Sequence, residues 1–297
     1  MKANLLLLLT AVVWGFAFVA QRMGMESMGP FLFNGIRFLL GSLVLIPVCL
    51  KESASFAERD HILRGRYRLF PAVMLGIVLF LGASLQQSGM VFTTAGKAGF
   101  ITGLYVVLVP VLGMVLKQKV RTFTWIGVGF AAVGLYLLSV TGRFSISRGD
   151  LLVLAAAFLW AGHVQIVGHF SGKIPPVFLA LVQFGVCSVL SFIVSALVES
   201  NSLQGLRQAA LPLAYGGLIS VGVGYTVQVV AQQWANPTHS AIVLSIESPM
   251  AAMGGWMILG ETISLKGWIG CVLIFCGMIL SQLGNPIPQK QEKTRRT

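Results

Sequence analysis

Two stretches lying 143 residues apart decide how this chain folds. The first runs Trp125-Ile126-Gly127-Val-Gly-Phe-Ala-Ala-Val-Gly134, with Leu116 ahead of it. The second runs Trp268-Ile269-Gly270-Cys-Val-Leu-Ile-Phe-Cys-Gly277, with Leu259 ahead of it. A second set repeats at a spacing of 146: Trp14, Pro30, Phe38 and Ser42 return as Trp160, Pro176, Phe184 and Ser188. The repeating unit is therefore half the chain, far longer than the period of a solenoid. The copies differ systematically in charge. Lys117, Lys119 and Arg121 of the first half stand as Gly260, Thr262 and Ser264 in the second. Basic loops mark the cytoplasmic side of a membrane. A duplicated unit that loses them in one copy reads as inserted in both directions, an arrangement found among secondary transporters.

Composition supports a lipid solvent. Of 297 residues, 56% are hydrophobic and 10% charged, with mean hydropathy +0.84; a soluble domain carries about 25% charged residues. The net charge of +12 comes from short loops between apolar runs, so nucleic-acid binding, which needs a clustered basic face, is not expected. Cys49, Cys187, Cys271 and Cys276 lie inside apolar segments without metal-ligand spacing and read as small buried hydrophobes. The apolar run after Lys2 could be a signal peptide. Its alignment of Leu5–Trp14 with Leu151–Trp160 in mid-chain favours a first membrane span.

A spanning helix needs about 20 mostly apolar residues. Ten segments qualify, near 4–21, 31–50, 70–90, 97–116, 123–141, 150–169, 177–198, 211–232, 238–259 and 265–284. The expected fold is thus an all-α membrane protein with ten transmembrane helices arranged as two inverted five-helix repeats, residues 1–145 and 146–284. The charged connection 51–69 has room for a short interfacial helix. A polar, basic tail at 285–297 is expected to be disordered. With the N-terminus inside, fourteen of the 21 Lys and Arg fall on the cytoplasmic side; Arg22, Lys97, Arg143, Arg148, Arg207 and Lys266 fall on the other, and Arg37 lies within a helix. Both termini are expected in the cytoplasm, and an odd number of helices per copy requires the second copy to be inverted.

The run Ala241-Ile-Val-Leu-Ser-Ile-Glu247-Ser-Pro249, continued by Trp256-Met-Ile-Leu-Gly260-Glu261, resembles the end-of-repeat signature of EamA-type transporters in the drug/metabolite transporter superfamily. So do its first-half counterpart Ala98–Pro110, the pair Trp14-Gly15, and Arg37. The resemblance covers 4–284 and implies two EamA-like repeats forming a polytopic carrier, often an exporter of amino acids, metabolites or drugs. It departs at two points. Gln118 stands where the second half has Glu261, and Pro110 lies eight residues before Gln118 whereas Pro249 lies twelve before Glu261. That offset predicts a kink placed differently in the two halves.

Ionisable groups at membrane depth are costly and mark function. Glu247 is the one carboxylate in mid-segment and is the candidate for ion coupling; a structural hydrogen bond is the competing reading. Arg37 could bind an anion, pair with Glu247 or snorkel, and Asn34 lies one turn away on the same face. Gln183 is the positional counterpart of Arg37. His163 is deep enough to bind substrate or relay a proton, while His169, six residues on, lies on another face. Lys97 reads as a solvated flank or an entrance charge. The uncharged candidates for substrate binding are Gln86, Tyr105, Trp160, Tyr225, Gln228 and Ser245, which could replace a substrate's water. No metal site, cofactor site or phosphate-cradling loop stands out.

The reading is a multi-pass carrier of the bacterial inner (plasma) membrane, expected to export small metabolites, amino acids or drugs by alternating access without ATP. Its partners would be a small-molecule substrate, protons and the lipid bilayer, with no nucleic acid. The segments 4–21, 70–90 and 97–116 and their copies should line the site, with 31–50 or its copy contributing. The Gly- and Trp-rich segments 123–141 and 265–284 should form scaffold or a homodimer surface. A membrane-embedded enzyme would need clustered His, Asp or Glu near one interface, and no such cluster is present, so catalysis is not expected. A scaffold or receptor without transport would require neither the inverted repeat nor Glu247.

Overall fold

The computed structural model describes residues 2–57, 66–139, 147–200 and 202–283. Among these every regular element is helical. The chain runs α1 (Lys2–Gly24), α2 (Pro30–Ala57), α3 (Arg66–Met90), α4 (Ala95–Gly103), α5 (Tyr105–Val115), α6 (Thr122–Ser139), α7 (Arg148–Phe170) and α8 (Pro176–Val198). It continues through α9 (Leu203–Gln208), α10 (Ala210–Ala214), a π-helical segment (Tyr215–Tyr225), α11 (Thr226–Ala231), α12 (Pro237–Leu244), α13 (Glu247–Leu259) and α14 (Leu265–Leu283). Eight helical runs are long and apolar enough to cross a membrane, and two shorter apolar helices, Thr122–Leu138 and Leu265–Ser281, accompany them. The interfacial helix expected in 51–69 and the tail at 285–297 fall, in part or wholly, outside the described residues. The short helix α9, capped by Ser202, was not anticipated.

Packing follows a rule of exchange. α3 packs on α7 and α8, while the π segment packs on α1 and α2. Similarly, α13 packs on α1, as α4 and α5 pack on α7. The pairs α2 with α8 and α6 with α14 each join an element to its own counterpart, and α4 with α13 is matched by α5 with α12. The repeated glycines explain the pair α6 with α14. A Cβ at Gly127 would sit 2.7 Å from the Gly277 carbonyl oxygen, and one at Gly134 would sit 2.6 Å from that of Gly270. One at Gly277 would lie 2.6 Å from the Gly127 oxygen. Gly127 and Gly270 occupy matching positions, as do Gly134 and Gly277, so the contact is reciprocal. Small residues allow this backbone approach where lipid provides no hydrophobic force between helices. The glycine face is spent inside the chain, which is the scaffold role among the two expected for this pair. The exposed apolar side chains of this pair include Phe123, Phe130, Tyr136, Trp268 and Val272.

The kinks do not differ between halves as the proline offset predicts. The run Ala95–Val115 breaks at Leu104, and Pro237–Leu259 breaks at Ser245–Ile246, within two residues of matching positions. Pro249 leaves the Ser245 carbonyl without its regular helical donor, which accounts for the second break. Pro110 would affect Val106 in the same way, yet Val106 lies inside α5, so it does not cause the first. There, Gly99 and Gly103 let α4 press against α13: a Cβ at Gly99 would meet Ala251, and one at Gly103 would meet the Ser248 hydroxyl. At the turns, Leu104 N–H donates to Ile101 O at 3.2 Å, and Ile246 N–H to Val243 O at 3.3 Å, the tightened bonding of a broken helix. The π segment is also absent from the sequence reading. Gly216, Gly217, Gly222 and Gly224 line it, and Gly217 and Gly224 admit Leu40 and Trp14 at close range.

Carboxylates organise one end of the bundle. Glu199 accepts from Phe31 N–H and Leu32 N–H, both at 2.8 Å, at the start of α2. Glu261 accepts from Ala95 N–H at 2.9 Å and Gly96 N–H at 3.0 Å at the start of α4. Both sites combine unpaired backbone donors with the positive end of a helix dipole, so Glu261 serves as a cap. After α13 the chain turns through Gly260 at φ 68°. The matching residue after α5 is Lys117 at φ 59°, a left-handed conformation that costs a non-glycine residue roughly 1–2 kcal/mol.

Two stability outcomes follow. Lys117→Gly is expected to raise stability by about 0.5–1 kcal/mol, the left-handed cost less the extra entropy of glycine, read as a higher unfolding temperature in detergent. Gly134→Val is expected to lose roughly 1–3 kcal/mol or more by overpacking, whereas Gly129→Val, with nothing within 4 Å of a new Cβ, should be nearly neutral by the same measurement.

Candidate functional site

The two helix breaks meet one cavity. Tyr105 opens α5 near the middle of the 21-residue run Ala95–Val115, and Glu247 opens α13 near the middle of the 23-residue run Pro237–Leu259. Both line the cavity, with Trp14, Gln21, Arg37, Gln86, Thr102, Trp160, His163, Ser220, Tyr225 and Gln228 among its other walls. Its volume is about 30 Å³, room for about two water molecules at ~15 Å³ each. The walls come from α1, α2, α3, α4, α5, α7, the π segment, α11 and α13, and hence from both halves.

Aromatic rings form one side. Tyr225 is the hub, with ring centroids at 4.4 Å from Trp14, 6.0 Å from Trp160 and 6.4 Å from His163. Phe38 and Phe184 stand behind it at 5.9 and 6.0 Å. The π segment holds this hub against α1 by three bonds. Trp14 Nε1–H donates to Ser220 O at 3.3 Å, the Thr10 hydroxyl to Gly224 O at 3.2 Å, and the Tyr215 hydroxyl to Val13 O at 2.9 Å. π-helical turns recur at functional sites.

Amides form another side. Gln86 Oε1 accepts from Trp160 Nε1–H at 2.8 Å and from the Thr102 hydroxyl at 3.3 Å, and Gln86 Nε2 donates to Gln21 Oε1 at 3.0 Å. Gln228 Nε2 donates to Gln232 Oε1 at 3.1 Å, and Gln232 Nε2 to Val164 O at 3.1 Å. His163 Nε2 donates to Gln183 Oε1 at 2.8 Å, leaving Nδ1 without a protein partner.

Two groups of opposite formal charge face this cavity with polar atoms left unbonded. Arg37 is 1% exposed and Glu247 2% exposed. Arg37 Nε and Nη2 and Glu247 Oε1 make no hydrogen bond, and among the described residues the two do not form an ion pair. The expected pairing of Arg37 with Glu247 is therefore not made, nor does Arg37 snorkel. Its guanidinium carbon lies 4.9 Å from the Phe38 ring centroid and 5.8 Å from that of Phe33, within cation–π range. The Tyr105 hydroxyl lies beside the Glu247 carboxyl but makes no hydrogen bond of good geometry. Glu247 also sits at the N-terminus of a half-helix, where the dipole favours negative charge.

Eight of the eleven residues read from the sequence line the cavity: Arg37, Gln86, Tyr105, Trp160, His163, Tyr225, Gln228 and Glu247. Three do not. Asn34 is fully buried beside Arg37 on α2 with both polar atoms unpartnered. Gln183 stands behind His163, and Ser245 bonds back to Ile242 O at 2.7 Å within the broken turn. Gln21, Thr102, Trp14 and Ser220 complete the walls. Gln21 was missed because it ends an apolar run and reads as a boundary; the helical stripe Trp14, Ala17/Phe18, Gln21 is the signal that finds it. Lys97 is neither a free flank nor part of the cavity: it pairs with Asp150. Among the described residues no group of three or more His, Cys, Asp or Glu could hold a metal ion.

Comparison with known proteins places this architecture. The model of the EamA-like transporter family matches residues 1–140 and again 147–283. A relative from Archaeoglobus fulgidus, named an uncharacterized transporter, is 30% identical over 285 residues, covering 95% of this chain and 86% of its own. One from Salmonella typhimurium, named "Probable amino-acid metabolite efflux pump", is 26% identical and covers 95% of both chains. A relative from Escherichia coli, named an uncharacterized inner membrane transporter, is 24% identical over 92% of this chain and 88% of its own. A solved crystal structure matches with a TM-score of 0.76 at 18% identity, covering 95% of this chain and 96% of the other, which establishes a shared fold. With two family matches that together span nearly the whole chain, the protein belongs to the EamA-like transporter family.

Proposed function

We propose that this chain is a proton-coupled exporter of small amino-acid-like metabolites, acting by alternating access. The carrying observation is that Arg37 and Glu247 are both buried at one cavity, do not pair with each other, and leave Arg37 Nε and Nη2 and Glu247 Oε1 without hydrogen bonds. An uncompensated buried charge is costly, and a substrate with a carboxylate at one end and an ammonium at the other would satisfy both. Arg37 offers a planar guanidinium to the carboxylate. Glu247 and the Tyr105 hydroxyl receive the ammonium. Trp14, Trp160 and Tyr225 cover the apolar body, and His163 Nδ1 and Gln228 Oε1 stand ready for further polar groups. The name of the Salmonella typhimurium relative supports the amino-acid-like class and outward direction.

In this scheme the chain is ten helices in two inverted repeats, residues 1–145 and 146–284, with both termini in the cytoplasm. The reciprocal glycine contacts, the exchange-related packing and the matched helix breaks support the inversion. The Lys and Arg distribution supports the orientation. Rocking one half against the other opens the cavity to one side at a time, and its volume of about 30 Å³ corresponds to a state closed around its polar groups. Glu247 binds either the substrate's ammonium or a proton, so each outward step with substrate is followed by a return with a proton.

The reading is tested in proteoliposomes across a metabolite panel, with and without a pH gradient. Glu247→Gln is expected to abolish gradient-driven movement and to weaken, without abolishing, substrate binding, since the amide oxygen and the Tyr105 hydroxyl still accept from the ammonium; unchanged driven transport by this variant would refute coupling at Glu247. Arg37→Gln is expected to weaken carboxylate-bearing substrates about 10–100-fold, from loss of a charged hydrogen bond worth about 1.5–3 kcal/mol, with little effect on a substrate lacking the carboxylate. Equal effects on both substrate types would remove Arg37 from the anion site.

A further inference from the structure

The two ends of the bundle carry matched contacts between helix starts. At one end Lys97, in the first turn of α4, donates to Asp150, in the first turn of α7, at 2.6 Å. Asp150 also accepts from Ser147 N–H at 2.7 Å and from the Thr93 hydroxyl at 3.0 Å, so its carboxylate ties together two chain segments, 93–97 and 147–150. At the other end His239, in the first turn of α12, donates from Nε2 to Asn4 Oδ1 near the start of α1 at 2.8 Å. These are counterparts in the duplicated unit. Asp150 lies 146 residues after Asn4, the offset that relates α7 to α1. The position matching Lys97 is Ser240, the neighbour of His239. The first contact is an ion pair; the second joins an amide to an imidazole. Lys97 also lines a polar vestibule of about 220 Å³ with Thr94, Glu261 and Thr262.

We propose that Lys97–Asp150 and His239–Asn4 are the two latches of the alternating-access cycle, an inference that rests on the function proposed above. Each ties the start of one broken helix to the start of the helix that lines the cavity opposite it. Opening one end requires breaking its latch, while the other end stays shut. The ion pair closes the end that faces outward in the orientation proposed, and the neutral contact closes the cytoplasmic end. Charge-assisted hydrogen bonds are roughly twice as strong as neutral ones. The cytoplasmic end therefore opens first in the absence of a gradient, which loads substrate from inside and suits an exporter.

The test uses the full-length protein with its four cysteines replaced and one cysteine placed at Ala17, a small cavity-lining residue. A membrane-impermeant thiol reagent is applied outside intact cells or to inverted vesicles. Lys97→Met is expected to raise labelling from outside roughly fivefold or more, the lower end of the range for loss of a coupling contact, and Lys97→Arg to label as the parent does. Asn4→Ala is expected to raise labelling from inside only. Because Asn4→Ala leaves every Asp150 contact intact, the test stands even where a Lys97 variant fails to fold. Parent-like labelling in both Lys97→Met and Asn4→Ala overturns the latches while leaving alternating access standing, provided the parent labels from both sides. Labelling of the parent and of every variant from neither side overturns both.

Discussion

Backbone polar groups at membrane depth must find partners inside the protein or line a cavity. In this chain two paired helices break near mid-depth, at Leu104 and at Ser245–Ile246, and the remaining organisation answers that constraint. The second break is buried, with Ser245, Ile246, Glu247 and Ser248 0–2% exposed, and the first, at half-buried Leu104, is flanked by buried Gly103 and Tyr105. Each delivers the start of a half-helix to the same small cavity. The Ser248 hydroxyl donates to Gly99 O at 2.7 Å, so the two broken helices also hold one another. Glu247 gains a dipole that favours its charge, and Tyr105 is brought beside it.

The surrounding helices supply rigidity and asymmetry in different places. Rigidity comes from the duplicated parts. The glycines shared by α6 and α14 bring two backbones into contact, and the π segment clamps α1 through Trp14, Thr10 and Tyr215. Asymmetry comes from the positions where the copies differ. Arg37 stands against Gln183, Glu247 against Leu104, and Asp150 against Asn4. Each substitution places a charge in one copy of the repeated sequence only. A symmetric cavity would hold a symmetric ligand; this one offers a cation from α2 and an acid from α13. The ends diverge in the same manner, with Glu199, Glu261 and Asp150 organising one and amides and an imidazole the other.

Depth was legible in the sequence, and rotation was less so. Hydropathy located the apolar runs, because the cost of a charge in hydrocarbon is large and recorded in every segment. The repeat located the glycine contact, because Gly127, Gly134, Gly270 and Gly277 recur at fixed spacing. Arg37, His163 and Glu247 declared themselves by charge at mid-segment. Gln21 did not, since a polar residue at the end of an apolar run is indistinguishable from a boundary without knowing which face it shares with Trp14. Ser245 misled in the opposite way: a hydroxyl in mid-segment is as useful for bonding back to its own helix as for meeting a ligand. The proline offset predicted unequal kinks, yet the breaks match, because close packing of Gly99 and Gly103 on α13 places the first break and Pro249 the second. The π segment left no trace beyond a run of glycines, which helix packing explains equally well.

The account's central claim is that two halves move about a shared cavity. Pulsed electron–electron distance measurements test it most directly, with spin labels at the exposed positions Phe92 and Lys266 for one end and Lys117 and Trp234 for the other, each pair joining the two halves. The account predicts that imposing a pH gradient or adding substrate lengthens one distance while shortening the other. Distances that stay fixed at both ends, or that lengthen together as in an open pore, would contradict it.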